Sequence, residues 1–237
     1  MKLAFDRGGA GDRLLVLLHG LGATRRAWQA MLARNRWRGC WIAPDLRGHG
    51  ASEHASDYGL DAHAADVAET VKGTWREVVV LGHSMGGAVA LALAGGKHGL
   101  DVSSAHGLGI KAVWSADELA GLEKFAASPV RWFASRDEAA ARFAKASGLD
   151  DASGIVAGEG GWRLAADPAT ARVGPPPMPA LLAAARCPIH LARGESDRMV
   201  SLAQLRVFDP RAADIAGAGH NAMIDAPDAL WDWLLGA

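Results

Sequence analysis

The stretch Gly82-His83-Ser84-Met85-Gly86-Gly87 constrains this chain more than any other. It follows an apolar run at 78–81 and precedes the small-residue run Ala88-Val89-Ala90-Leu91-Ala92. A strand therefore turns directly into a helix at Ser84. So sharp a turn forces strained backbone angles at the serine, and the residues two positions away on either side must be glycine to avoid clashes. It presents the Ser84 hydroxyl above the sheet edge, where the helix N-terminus favours developing negative charge.

Other short aliphatic runs lie at 14–18, 40–43, 110–114 and 189–192, with a weaker one at 213–216. Continuous apolar runs of this length suit strands buried on both faces of a parallel sheet. Helical patterns at 26–34, 62–71, 88–94 and 228–235 alternate with them. Strands alternating with helices predict βαβ crossovers and a sheet covered on both sides. From 117 to 185 no strand is expected. Ser115 with Glu118 and Ser135 with Glu138 spell capping boxes that open helices, and Gly148 stops the second. Pro175-Pro176-Pro177 then precedes a short helix at 180–185. The expected division is a core of 1–116 and 186–237 with a helical lid or cap at 117–185; the plainer alternative is a long crossover.

A serine hydroxyl becomes a useful nucleophile only when a base takes its proton. Of nine histidines, His220 has the best setting: Ala218-Gly219-His220-Asn221 follows the last weak strand and precedes the terminal helix. In a parallel sheet that loop falls on the same edge as Ser84. His19 lies in a glycine-rich loop and His83 adjoins the serine, while His49, His54, His63, His98, His106 and His190 lack such a setting. The imidazole in turn needs a carboxylate to hold its tautomer and stabilise its protonated form. Asp197 follows the run at 189–192 on that same edge, with Glu195 and Asp225 as rivals. Two N–H groups are needed for the oxyanion of acyl transfer, and those of Leu21 and Met85 are the candidates.

These motifs resemble the α/β-hydrolase superfamily: His19-Gly20-Leu21-Gly22, Pro44-Asp45-Leu46-Arg47-Gly48-His49-Gly50, Gly82 to Gly87, Gly194-Glu195-Ser196-Asp197 and Gly219-His220 stand in its order and spacing. The resemblance implies an α/β fold with a mostly parallel doubly wound sheet and a small helical cap inserted after the sixth strand. It implies Ser84 as nucleophile, His220 as base, Asp197 as orienting acid, and Leu21 with Met85 as oxyanion hole, with no metal and no cofactor. Asp45 and His49 would belong to a supporting loop. The sequence departs from the pattern at its N-terminus, where only residues 2–7 precede the first long strand.

A serine at position 84 argues against dehalogenases and epoxide hydrolases, whose nucleophile is an aspartate. The leading expectation is a serine hydrolase of carboxylesterase type, acting on a small or medium, largely uncharged ester. A lactonase, thioesterase, carbon–carbon bond hydrolase or cofactor-free haloperoxidase or perhydrolase would use the same residues. A ligand receptor that kept the fold, and a pseudoenzyme, are the rivals from other classes. Trp114, Phe125, Trp132, Phe133 and Trp162 are the candidates for an apolar substrate pocket. Composition narrows the setting. A formal charge of -1 offers no excess to neutralise nucleic acid. Two cysteines suit neither a disulfide framework nor a zinc site. The longest apolar region, 78–94, is broken by His83 and Ser84, and residues 1–12 hold no signal-like apolar stretch. A cytoplasmic monomer or homodimer without a membrane partner is expected.

Overall fold

The computed structural model describes residues 1–149 and 154–236. Strands β1 (Phe5–Gly8) and β2 (Arg13–Leu18) lead into a short 3-10 turn, Arg25–Trp28, and helix α1 (Gln29–Ala33). Then come β3 (Cys40–Pro44), α2 (Leu60–Thr70), β4 (Glu77–His83), α3 (Met85–Ala94) and β5 (Ser104–Leu108). The chain continues through α4 (Ala116–Ala126), α5 (Arg136–Ser147), β6 (Ile155–Gly158), β7 (Gly161–Leu164), a 3-10 helix at Pro168–Val173 and α6 (Met178–Ala184). It closes with β8 (Ile189–Gly194), α7 (Leu202–Arg206), β9 (Ala213–Ile215), α8 (Ala222–Asp225) and α9 (Pro227–Gly236).

Seven strands form one sheet in the order β1-β3-β2-β4-β5-β8-β9. Only β1 runs antiparallel, against β3; every other pairing is parallel. Side chains alternate between the two faces of each strand, so the apolar runs feed two cores. Leu15, Leu17, Val79 and Leu81 pack with Trp28, Met31, Leu230 and Trp231 on one side. Leu14, Val16, Leu18, Val78 and Val80 pack with Val67, Val71, Val89 and Leu93 on the other. Helices on both faces therefore follow from β2 being apolar from Leu14 to Leu18 and β4 from Val78 to Leu81.

Three expectations about elements are corrected. The fifth strand is Ser104–Leu108, not 110–114, which is loop. β5 pairs with β4 from Ser104 opposite Val79 to Leu108 opposite His83. Its small and polar residues carry no aliphatic signal because Ile110 folds back to fill the space they leave: a Cβ on Gly107 would lie 2.5 Å from Ile110 Cδ1. The insertion also holds a strand pair that was not expected. β6 and β7 pair antiparallel, with Trp132 lying over Gly158 and Gly160 at the turn. Four-residue strands are too short for their alternation to stand out from a helical background. The insertion follows the fifth strand of the chain rather than the sixth, since a single strand precedes β2.

Local signals in the insertion did mark its helix ends. Ser115 caps α4 with the full reciprocal box to Glu118. Ser135 caps α5 by accepting from the Glu138 N–H, and Gly148 ends that helix in the left-handed region at φ 72°. No helix among the described residues is long and apolar enough to cross a membrane.

Candidate active site

Ser84 sits between β4 and α3 at φ 51°, ψ −114°, and is the one non-glycine residue at positive φ among those described. Such a conformation costs on the order of 1–3 kcal/mol and persists only where the surroundings over-determine it. They do so here. The Ser84 N–H donates to the Leu108 carbonyl at 2.8 Å, and its own carbonyl accepts from the N–H groups of Gly87 and Ala88. A Cβ on Gly82 would lie 2.0 Å from the Gly86 carbonyl oxygen, and one on Gly86 would lie 2.3 Å from that of Leu18. Glycine at both positions is thus what lets the helix start so close to the sheet.

His220 and Asp197 meet at the same edge. His220 Nδ1 lies 2.8 Å from Asp197 Oδ2, with the His220 side chain 22% exposed and that of Asp197 fully buried. Burial pushes the Asp197 carboxyl up, but the His220 hydrogen bond and charge and the N–H donors of Met199 and Val200 outweigh it, so the acid stays below its ordinary range. The Met199 and Val200 bonds go to Oδ1, leaving Oδ2 to face the imidazole. Because Asp197 accepts from Nδ1–H, the other ring nitrogen of His220 carries the lone pair. Gly109 joins this pair to the Ser84 turn: a Cβ there would lie 3.3 Å from His220 Cε1 and 3.6 Å from Asp197 Oδ2, one residue beyond the carbonyl that holds Ser84. The Ser84 hydroxyl makes no hydrogen bond among the described residues.

The two rival carboxylates are engaged elsewhere. Glu195 accepts from the Gly217 N–H at 3.1 Å, and Asp225 accepts from the Gly219 N–H at 2.9 Å. Asp225 thereby shapes the His220 loop from the other side, and Asn221 ties it to the end of α5 by donating to the Ser147 carbonyl.

Three further histidines frame the site, in supporting places that the sequence did not assign to His19 and His83. His83 is buried and donates from Nε2 to the His220 carbonyl at 2.9 Å, its ring edge-on to that of His220. Burial, then the neighbouring His220 charge, lowers its pKa to about 3, so it stays neutral and cannot compete as a base. His19 accepts from the Leu46 N–H and donates to the Gly20 carbonyl. His49 accepts from the Gly22 N–H at 3.1 Å and donates to Arg47. Burial lowers these two to about 4 and about 3. Neutral imidazoles thus brace the 20–22 loop on both sides. Asp45 braces it too, accepting from the Arg25 N–H and pairing with the Arg25 guanidinium.

The N–H groups of Leu21 and Met85 have no acceptor among the described residues. Leu21, Ser84 and Met85 line one cavity of about 60 Å³ together with Ile110, Trp114 and Leu122. Of the expected pocket residues, Trp114 lies there, while Phe125 and Phe133 line a second cavity. Trp132 and Trp162 line neither. Trp132 is occupied by the hairpin turn, and Trp162 pairs its backbone with Phe133. Among the described residues no group of three or more His, Cys, Asp or Glu side chains is placed to hold a metal ion.

The fold has known counterparts. The chain is 38% identical over 95 residues to an uncharacterized protein of Mycobacterium tuberculosis, a match covering 39% of this chain and 28% of that protein. It is 38% identical over 88 residues to the lipase LipV of the same organism, covering 37% of this chain and 33% of the lipase. It therefore spans only about a third or less of the length of these relatives. Among solved structures, E-2-(acetamidomethylene)succinate hydrolase superposes with a TM-score of 0.80 at 24% identity, over 99% of this chain and 95% of that one. The model of the alpha/beta hydrolase family matches residues 15–233, nearly the whole of the sheet and its helices. The chain belongs to the alpha/beta hydrolase family.

Proposed function

We propose that the chain is a serine hydrolase cleaving a carboxylic ester of a small or medium substrate through an acyl-enzyme on Ser84. One observation carries this reading: a largely buried imidazole, held by a fully buried carboxylate at 2.8 Å, lies against Gly109, the residue after the carbonyl that holds the strained Ser84 turn. In this scheme the free nitrogen of His220 takes the Ser84 proton as Oγ attacks the ester carbonyl carbon. The carbonyl oxygen becomes an oxyanion, which accepts from the N–H groups of Leu21 and Met85. Asp197 stabilises the imidazolium without taking its proton. Collapse expels the alcohol, which leaves with the proton from His220. Water, deprotonated by the same nitrogen, then attacks the acyl-enzyme, releasing the acid and restoring Ser84.

The two free amides beside the serine support the oxyanion role. The 38% identity to a protein named as a lipase supports an oxygen ester over the other acyl bonds. In this reading the 117–185 segment caps the site, since Leu122 and Val173 stand over the Ser84 cavity. The test is a panel of p-nitrophenyl esters, a lactone and an acyl thioester under one set of conditions. Highest kcat/KM on an oxygen ester is expected. Turnover of the lactone or thioester with none of any oxygen ester would contradict the assignment.

A further inference from the structure

Two cavities meet at Leu21. The first opens over Ser84, and the second, of about 480 Å³, lies between the Leu21-Gly22 loop and the 117–185 segment. Three elements face both. Besides Leu21 itself, α4 turns Leu122 to the first and Phe125, one turn on, to the second. The 3-10 helix at Pro168–Val173 gives Val173 to the first and Thr170 to the second. A ligand anchored at Ser84 that extends past Leu21 would reach the second cavity.

That cavity is mostly apolar, yet it holds two guanidinium groups. Arg131 and Phe133, two apart in the chain, both line it. The Arg131 guanidinium lies 4.8 Å from the centre of the buried Phe133 ring. Arg142 lines the same cavity with Ala146, one turn further along α5. Neither arginine makes an ion pair among the described residues. One carboxylate shares the lining, that of Asp167, and its oxygens are taken: Oδ2 accepts from Tyr58 and faces His54, while Oδ1 accepts from the Ala169 N–H. Burial raises the Asp167 pKa, but these hydrogen bonds hold it below the usual range, so it is ionised and already partnered. The lining thus carries one positive charge in excess, on a guanidinium fork suited to a planar, two-oxygen anion.

We infer that the second cavity receives a substrate arm that ends in a carboxylate, so the preferred ester carries an anionic group at the far end of a short apolar chain. This rests on the ester-hydrolase reading above and departs from the sequence expectation of a largely uncharged substrate. Apolar walls take the methylenes, and Arg131 with Arg142 takes the terminal anion.

The test compares mono-p-nitrophenyl adipate with p-nitrophenyl hexanoate, matched in chain length, and adds an ω-phosphorylated ester of the same length. The wild type is expected to favour the carboxylate ester by about 10-fold in kcat/KM, the gain appearing in KM. In Arg131→Gln/Arg142→Gln the ratio of charged to neutral ester should fall to one or below, and Arg142→Glu, which leaves the lining at the same net charge, should lower it likewise. The ratio is read within each variant, so a general loss of folded protein cancels. Preference for the phosphorylated arm over the carboxylate would overturn the choice of anion. Equal or faster cleavage of the neutral ester by the wild type, or a preference that survives both substitutions, would overturn the inference alone. No cleavage of either ester would overturn the hydrolase reading with it.

Discussion

The Ser84 edge of the sheet and the 117–185 insertion are built on different principles. At the edge, every residue of the site sits within a few positions of a strand end, and strand register decides where it goes. β4, β5 and β8 lie side by side, so the loops after them bring Ser84, Gly109 and Asp197 together, and β9 adds His220. The insertion has no such register. Its helices and its two four-residue strands are set by packing, for example Phe143 buried beneath Gly154 and Trp132 laid across the hairpin turn. Where register governs, sequence spacing is enough to place a side chain. Where packing governs, helix caps are legible but partners are not.

The sharpest way to break this contrast is at the edge. Ser84→Ala should lower ester turnover by ~10⁴ or more in steady-state assays, because the nucleophile itself is gone. Retention of most activity would refute the site. Next in size, Asp197→Asn should lower kcat by about 10⁴, since it loses the carboxylate that holds the His220 tautomer. Glu195→Gln should stay within a few-fold, as its side chain serves only the Gly217 turn. The reverse ranking would move the acid to Glu195.

That comparison also marks how much the sequence disclosed. The Ser84 turn, the His220 loop and Asp197 were legible because glycine spacing and short apolar runs report directly on strand ends. β5 was not, because Ile110 carries the aliphatic signal that belongs to the strand beside it. The hairpin was hidden by its length. Trp132 and Trp162 were picked as pocket candidates because an aromatic residue looks alike in sequence whether it lines a cavity or covers a turn. His83 and His19 were passed over as supports since their partners, the His220 carbonyl and the Leu46 N–H, are distant in sequence.

Acid should act on the edge before it acts on chemistry alone. His19, His49 and His83 are buried and neutral, with pKa values of about 4, 3 and 3, as are His63 and His106 at about 3. An unfolded histidine titrates near ~6.5. Between that value and about 3 the unfolded chain binds more protons than the folded one, so stability is present above pH ~6.5 and lost as pH falls. Each group contributes at most about 1.4 kcal/mol per pH unit. The urea midpoint should therefore drop by an amount worth several kcal/mol between pH 7.5 and 5. A constant midpoint would contradict the buried neutral state.

The smallest test sets one glycine of each region against the other. Gly86→Ala places a Cβ against the Leu18 carbonyl and should destabilise the fold by about 3 kcal/mol. Gly121→Ala, inside α4 with open space around it, should stabilise by ~0.5–1 kcal/mol. Thermal unfolding of both variants reads the difference. Similar changes in the two would erase the distinction between an edge held by close backbone approach and an insertion with room to spare.

The central claim is that Ser84 is a nucleophile activated by His220. It is tested most directly by intact mass after treatment with a fluorophosphonate probe, with Ser84→Ala and His220→Ala alongside. One adduct on the wild type and none on either variant is the predicted result. An unlabelled wild type, or a variant labelled like it, would contradict the claim and favour a ligand-binding protein built on a hydrolase fold.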